Sequence, residues 1–413
     1  MPWPCRNLRG ARRDGATAWF ALFRSAGSDR IAEETVDATG TGRRRTQDDD
    51  VLMDAIAIAA QRVRQGDLAR RDLLRGLAAL GIGASVLDGG AAAAQTREVV
   101  VVNWGGDAAK HFTTAWLDPF TRETGIRTVM DGSGPSEGKM KAMVDSRRIT
   151  WDVVDTGAGT ALQIGARYFE PIDYAIVDRT KVPPGFAWDH AVANYLFSYV
   201  LAYDRAKFRD RQPSSWADFF NFRDFPGKRT IRKDIQGTLE AALLGDGVAP
   251  DKLYPIDVPR ALNKLRQHKN DIIFWPSGAD SQTLLREGEV SMGSLWNTRV
   301  NALVRDTSER ITWTWNQGIL CPGVWAIMKG NPAGRELTSR FIAFTQRPAG
   351  QVELFKLFGN GPANPDAAPL VPPDLVRFSP GAPENAAKQV QIRPEWYGEH
   401  QTRVNDMFLD MLA

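Results

Sequence analysis

The sequence predicts an α/β protein built as two successive open sheets, each flanked by helices on both faces. Three observations lead there. Strand-like and helix-like runs alternate from residue 98 to 159 with short glycine-containing turns; the alternation begins afresh after a long apolar run at 195–203; and 413 residues are too many for one ordinary core. The 43% hydrophobic and 24% charged content is that of a folded globular chain.

The first half reads in order. Residues 98–104 form a β-branched run ending at Gly105 and Gly106, as expected of a buried parallel strand and its turn. Asp107 is placed to cap a helix that buries Phe112, Trp116 and Phe120 and stops at Gly125. A second strand is expected at 127–130, a helix at 135–144, and a third strand at 151–155 running into Thr156 and Gly157. Ligands of such sheets bind at the carboxyl ends of strands, which places Trp104, Asp107, Asp131 and Asp155 at a candidate site.

The run 195–203 is long enough to carry the chain from one lobe to another. Beyond it, strands are expected at 228–234, 271–275 and 290–296, with helices at 238–244 and 280–286. Two separate strands, 311–315 and 323–327, are expected on either side of a break at 316–322. Helices at 335–344 and 351–357 follow, then a Pro/Ala-rich loop at 362–383.

The first 94 residues differ in kind, with 14 arginines and no lysine. Within them Arg70 and Arg71 precede a short apolar stretch, 76–87, and a small-residue run, 91–94. This is the order of an export signal, either of the twin-arginine type or an ordinary Sec signal, with the mature chain starting near Gln95. Residues 1–94 are expected to be an extension without a fold of its own that carries this signal, and Met53 is an alternative start, in which case 1–52 would be a mis-assigned beginning. No cysteine stands near Gln95 to carry a lipid anchor, so a freely diffusing periplasmic protein is expected.

The remainder holds 38 basic and 37 acidic residues, which gives no basic surface for nucleic acid. No run of 18 uncharged apolar residues exists to span a membrane. Cys5 and Cys321 would be separated by signal processing, so no intramolecular disulfide is expected. No metal site and no cofactor are expected either, since the four histidines are scattered and no phosphate-cradling GxxxxGK[ST] loop occurs.

With these elements in place, the chain resembles the spermidine/putrescine-binding proteins of ABC importers and the broader extracellular solute-binding family. The resemblance rests on Asn103-Trp104 closing the first strand, on 120–126 after the first helix, and on Trp151-Asp152-Val153-Val154. It continues through Ser215-Trp216-Ala217-Asp218-Phe219-Phe220, through 288–293 before Trp296-Asn297, and to Arg347-Pro348 between the two late helices. It implies a periplasmic binding protein-like fold of type II, with two α/β lobes, a hinge and a ligand cleft between the lobes. Lobe 1 would comprise 95–200 with 322–365, and lobe 2 would comprise 201–321 with 366–413. The implied role is capture of a small amine-bearing solute by a monomeric receptor. The partners would be that solute and the membrane permease and ATPase of the importer.

By the same resemblance, Trp104 and Trp296 are cleft tryptophans and Asp234 takes a ligand ammonium. A core position is the alternative for each tryptophan, and a helix N-cap is the alternative for Asp234. Asn297 and Arg299 follow Trp296 and extend the candidate set. Aromatic faces suit methylenes and ammonium groups, each contributing about 0.5–2 kcal/mol.

The chain departs from the polyamine pattern at Cys321-Pro322-Gly323, at Gly237, at Gly157 and Gly159, and at Asp107, where aromatic, hydroxyl or carboxylate groups are expected. Fewer carboxylates imply a less cationic ligand, so a zwitterionic amino acid derivative or opine-like compound stands beside the polyamine. Asp107, Asp131 and Asp155 would then form an acidic wall, and Lys233 or Arg299 would meet a carboxylate; a solvated loop residue or cap is the equal alternative for each, and the outer face of a helix is a further one for Arg299. An enzyme using Cys321 as nucleophile is the rival class, but no histidine stands in a motif with it. The expectation is a receptor and not an enzyme.

Overall fold

The computed structural model describes residues 98–413. The expected export signal, with Arg70 and Arg71, the alternative start at Met53 and the cleavage point near Gln95 lie outside the described residues.

Eleven strands form one sheet. β1 (Glu98–Val102) pairs in parallel with β2 (Arg127–Asp131) and with β3 (Val153–Gly157). The short β4 (Phe169–Glu170) is followed by β5 (Val192–Asp204), thirteen residues buried along almost their whole length. In the second lobe β6 (Arg229–Arg232) pairs in parallel with β7 (Ile272–Trp275) and with β8 (Met292–Trp296). β9 (Ile311–Met328) spans eighteen residues, and β10 (Gly361–Pro362) and β11 (Val390–Gln391) are short additions to β5 and β9. The order β2-β1-β3-β9-β5-β8-β6-β7 therefore places two parallel trios on either side of the antiparallel pair β9 and β5.

That pair joins the lobes. The carboxyl-terminal half of β9 pairs with β3, while the carboxyl-terminal half of β5 pairs with β8. The two largest hydrophobic clusters of the described residues flank it. One gathers Val99, Phe112, Trp116 and Phe120 with Trp325 and Phe341, residues from both ends of the sequence. The other gathers Trp216, Phe219, Leu239 and Leu265 with Tyr397, Val404 and Phe408 of the last helix, Pro394–Leu412.

Three local expectations need correction. The segment 311–328 is one strand, not two. Its polar stretch bulges outward, with Gln317 at φ 59°, and the ladder to β5 shifts register between Tyr199 and Leu201, so the break seen in the sequence is a bulge rather than a loop. The helix from Asp107 to Thr124 is interrupted by a π turn, Thr113–Leu117. Pro119 has no N–H to offer the preceding turn, and the widened turn accommodates that loss while keeping Trp116 and Leu117 buried. Asp107 is the first helical residue, and the N-cap is Gly106. Gly125 ends this stretch as expected, at φ 71° with its N–H donating to the Thr121 carbonyl.

Candidate functional site

The carboxyl ends of strands from both lobes open onto one cleft of about 860 Å³, solvent included. Of the residues singled out in the sequence, Trp104, Asp155, Asp234, Trp296 and Arg299 line it. Asp107, Asp131 and Asn297 do not.

Those three have other surroundings. Asp107 is exposed on the first turn of its helix, where its charge favours the helix dipole. Asp131 at the end of β2 accepts from the indole Nε1 of Trp151 at 2.6 Å and from the Ser133 backbone N–H at 2.8 Å. Burial works to raise its pKa, but the hydrogen bonds from Ser133 and Trp151 outweigh it and hold the carboxyl below its ordinary value. Asn297 is fully buried; its Oδ1 accepts from the Ser198 N–H at 2.9 Å and its Nδ2 donates to the Gly359 carbonyl at 3.0 Å. Both ends of that amide are committed to holding β5 against the returning chain.

On the first lobe's side, Asp155 of β3 is completely buried. Its carboxylate accepts from the Tyr195 hydroxyl at 3.1 and 3.3 Å and from Asn194 Nδ2 at 3.4 Å. Burial pushes its pKa up to about 8, and these bonds offset only part of the shift. Trp104 stands at the mouth, 45% exposed, an unusual exposure for so large an apolar side chain. The helix Ala158–Tyr168 begins at the cleft with no side-chain cap on its N-terminal N–H groups.

On the second lobe's side, Arg232 ends β6. Its guanidinium donates to the Tyr199 hydroxyl and lies 3.3 Å from Asp234 Oδ2. It also faces the Trp296 ring at 5.2 Å from the centroid. Burial alone would lower its pKa, but Asp234 and Tyr199 outweigh it and keep the group charged. Asp234 does not cap the next helix, since the N-cap is Gly237; its Oδ1 instead accepts from the Gln236 N–H at 2.9 Å. Trp296 packs edge-on against Trp275, with centroids 5.1 Å apart.

Sequence reasoning missed Arg232, Tyr195 and Tyr199, although the glycines offered a signal. A Cβ at Gly323 would lie 2.3 Å from Tyr195 Cζ, and one at Gly237, which also has φ 77°, would lie 2.4 Å from Tyr199 Cδ2. Positions that read as lost ligand groups are the spaces into which two tyrosines of β5 fit. Gly159 similarly clears Tyr397, whose Cβ would be 2.7 Å away.

Cys321 pairs with Phe197 in the β5–β9 ladder and is buried, which pushes its thiol well above the ordinary range. That is the opposite of an activated nucleophile. Among the described residues no cluster of three or more His, Cys, Asp or Glu side chains is arranged to hold a metal ion.

The model of the family described as bacterial extracellular solute-binding protein matches residues 115–382. The chain belongs to this family. It is 34% identical over 325 residues to the gamma-aminobutyric acid-binding protein of Pseudomonas aeruginosa, an alignment covering 77% of this chain and 92% of that one. A solved GABA receptor matches with 34% identity and a TM-score of 0.71, over 76% of this chain and 98% of that one. The binding protein AgtB of A. tumefaciens R10, solved in complex with agropinic acid, matches with 28% identity and a TM-score of 0.70, over 77% and 99%. The two-lobed type II fold and the receptor role, as distinct from an enzyme, follow from these matches, and receptors of this kind deliver small solutes to an ABC permease and its ATPase.

Proposed function

We propose that the protein acts in the periplasm as a monomeric receptor for a small zwitterion, an amine bearing a carboxylate, which it delivers to an importer. The observation carrying this reading is the mixture of charges in the cleft, where two guanidinium groups, Arg232 and Arg299, share the lining with Asp234 and the raised-pKa Asp155. Uncapped helix N-termini at 158 and 297 add partial positive charge. An unsubstituted polyamine would bring two or more ammonium groups to a site whose permanent charges are mostly cationic. A ligand with one ammonium and one carboxylate is matched by both signs.

In this arrangement Arg232, oriented by Tyr199 and Asp234, takes the carboxylate. The ammonium lies toward Asp155, and its arrival favours the ionised carboxyl. Trp104 and Trp296 cover the methylenes between the two poles. The relatives named for gamma-aminobutyric acid support this ligand class, since that compound joins an amine to a carboxylate.

The test is calorimetric titration of the purified protein with 4-aminobutyrate, standard amino acids, opines, putrescine and spermidine. Binding of one or more amino-carboxylates is expected, weakened roughly tenfold or more by Arg232→Lys, because lysine lacks the planar fork that meets Tyr199 and Asp234 together. Binding of the polyamines with no amino-carboxylate bound would overturn the reading.

A further inference from the structure

Arg232 and Arg299 are not equivalent. Arg232 has Asp234 and Tyr199 as partners, whereas the Nε of Arg299 is buried and has no hydrogen-bond partner among the described residues. Burial depresses its pKa, and Asp107 is the one acid whose charge works against that. A desolvated guanidinium with so little compensation is costly to keep unless something else neutralises it.

Its surroundings are shaped for that purpose. A Cβ at Gly278 would lie 2.6 Å from Arg299 Nε and 3.0 Å from Trp296 Cζ3, so glycine is what lets the arginine lie beside the indole. The guanidinium faces the Phe358 ring, 5.3 Å from its centroid. The helix carrying Arg299, Asn297–Asp306, runs for ten residues and opens at the cleft with no side-chain cap. Beside that helix, next to Gly359 whose carbonyl accepts from Asn297 Nδ2, Asn360 is only 4% exposed and its Oδ1 has no partner, although the residue lines the same cleft. An unbonded guanidinium, an uncapped helix N-terminus and a buried unbonded amide oxygen thus share one lining with the Arg232 and Asp155 poles.

We infer that Arg299, the first turn of its helix and Asn360 form a second anion subsite, and that the physiological ligand is an amine carrying two carboxylates. One carboxylate meets Arg232 and the other meets Arg299 and the helix N–H groups. Asn360 Oδ1 accepts an N–H of the ligand beside that second carboxylate. This rests on the zwitterion reading and narrows it: a simple ω-amino acid would leave Arg299 and Asn360 unanswered.

The experiment compares ligands that differ by one carboxylate. The purified protein is titrated with 4-aminobutyrate, with L-glutamate, which adds a carboxylate beside the amine, and with N-carboxymethyl-4-aminobutyrate, which adds one on the nitrogen. At least one of the two dicarboxylates is expected to bind roughly tenfold or more tightly than 4-aminobutyrate. In Arg299→Met and in Asn360→Asp that affinity ratio is expected to fall to within about threefold of unity, and a ratio is insensitive to the fraction of variant that folds. The inference is overturned if 4-aminobutyrate binds as tightly as both dicarboxylates, or if the ratio survives in both variants. Failure of all three compounds to bind, with polyamines binding instead, would overturn the zwitterion reading itself, a distinguishable result.

Discussion

The Tyr195 hydroxyl donates to a carboxylate that no solvent reaches: its oxygen lies 3.1 and 3.3 Å from the two oxygens of Asp155, which is wholly buried. A protonated Asp155 suits this setting better than a charged one, and burial accordingly holds its pKa near 8.

Stability should therefore depend on pH in a particular direction. The ordinary value of the carboxyl is 3.8, so between there and about 8 the folded protein holds a proton that the unfolded chain has lost. The contribution of Asp155 to stability is present in full below pH 4 and declines as pH rises to about 8. Glu240 and Asp152, also raised by burial, act in the same sense. Melting temperatures measured from pH 5 to 8 should fall less steeply in Asp155→Asn than in the parent, and parallel slopes would count against this assignment.

Ligand binding should release a proton. An ammonium placed near Asp155 favours the charged carboxyl, so at pH 6 to 7 the proton held in the free protein leaves on binding. Titrations in buffers of different ionisation enthalpy should give buffer-dependent heats in the parent and a much weaker dependence in Asp155→Asn.

Filling the glycine spaces should disturb the tyrosines. Ala at position 323 would set a methyl 2.3 Å from Tyr195 Cζ, an overpacking that typically costs about 1–3 kcal/mol. Gly323→Ala should lower the unfolding free energy by that amount and weaken ligand binding together with it. A variant as stable as the parent would show that Tyr195 can move aside.

Glu240 is a fully buried carboxylate that accepts from the Tyr254 hydroxyl at 2.5 Å, the Tyr397 hydroxyl at 2.7 Å and the Gly237 N–H at 2.9 Å. It ties the last helix to the turn carrying Asp234 and Gly237. Glu240→Gln turns one acceptor oxygen into a donor facing donors and should cost about 1–3 kcal/mol in chemical denaturation. An unchanged midpoint would mean that the tyrosines find other acceptors.

Much of this molecule is legible in its sequence because local patterns carry the information. The β-branched run before Gly105 is β1, the apolar run around Tyr199 is β5, and Trp104, Asp234 and Trp296 stand at strand ends where an open sheet binds ligands. What was not legible depends on non-local register. Gly323 reads as a missing side chain until β5 is paired with β9 and the Tyr195 ring is found above it. Arg232 looks like any polar residue in a short strand until Tyr199, from a different strand, supplies its partner. The stretch Asn316, Gln317 and Gly318 has a loop's composition, and only the continuing ladder with β5 reveals it as a bulge inside one strand.

Tyr195 and Tyr199 share β5, and β5 with β9 is the part of the backbone that runs through both lobes. These two side chains are mounted on the spring of the molecule rather than on its jaws. One steadies Asp155 on the first lobe's side and the other steadies Arg232 on the second, so the distance between the two charge centres is gauged along four residues of a single strand. A flexing of that strand would change the span offered to the ligand, and the length of the guest would set how far the jaws come to rest.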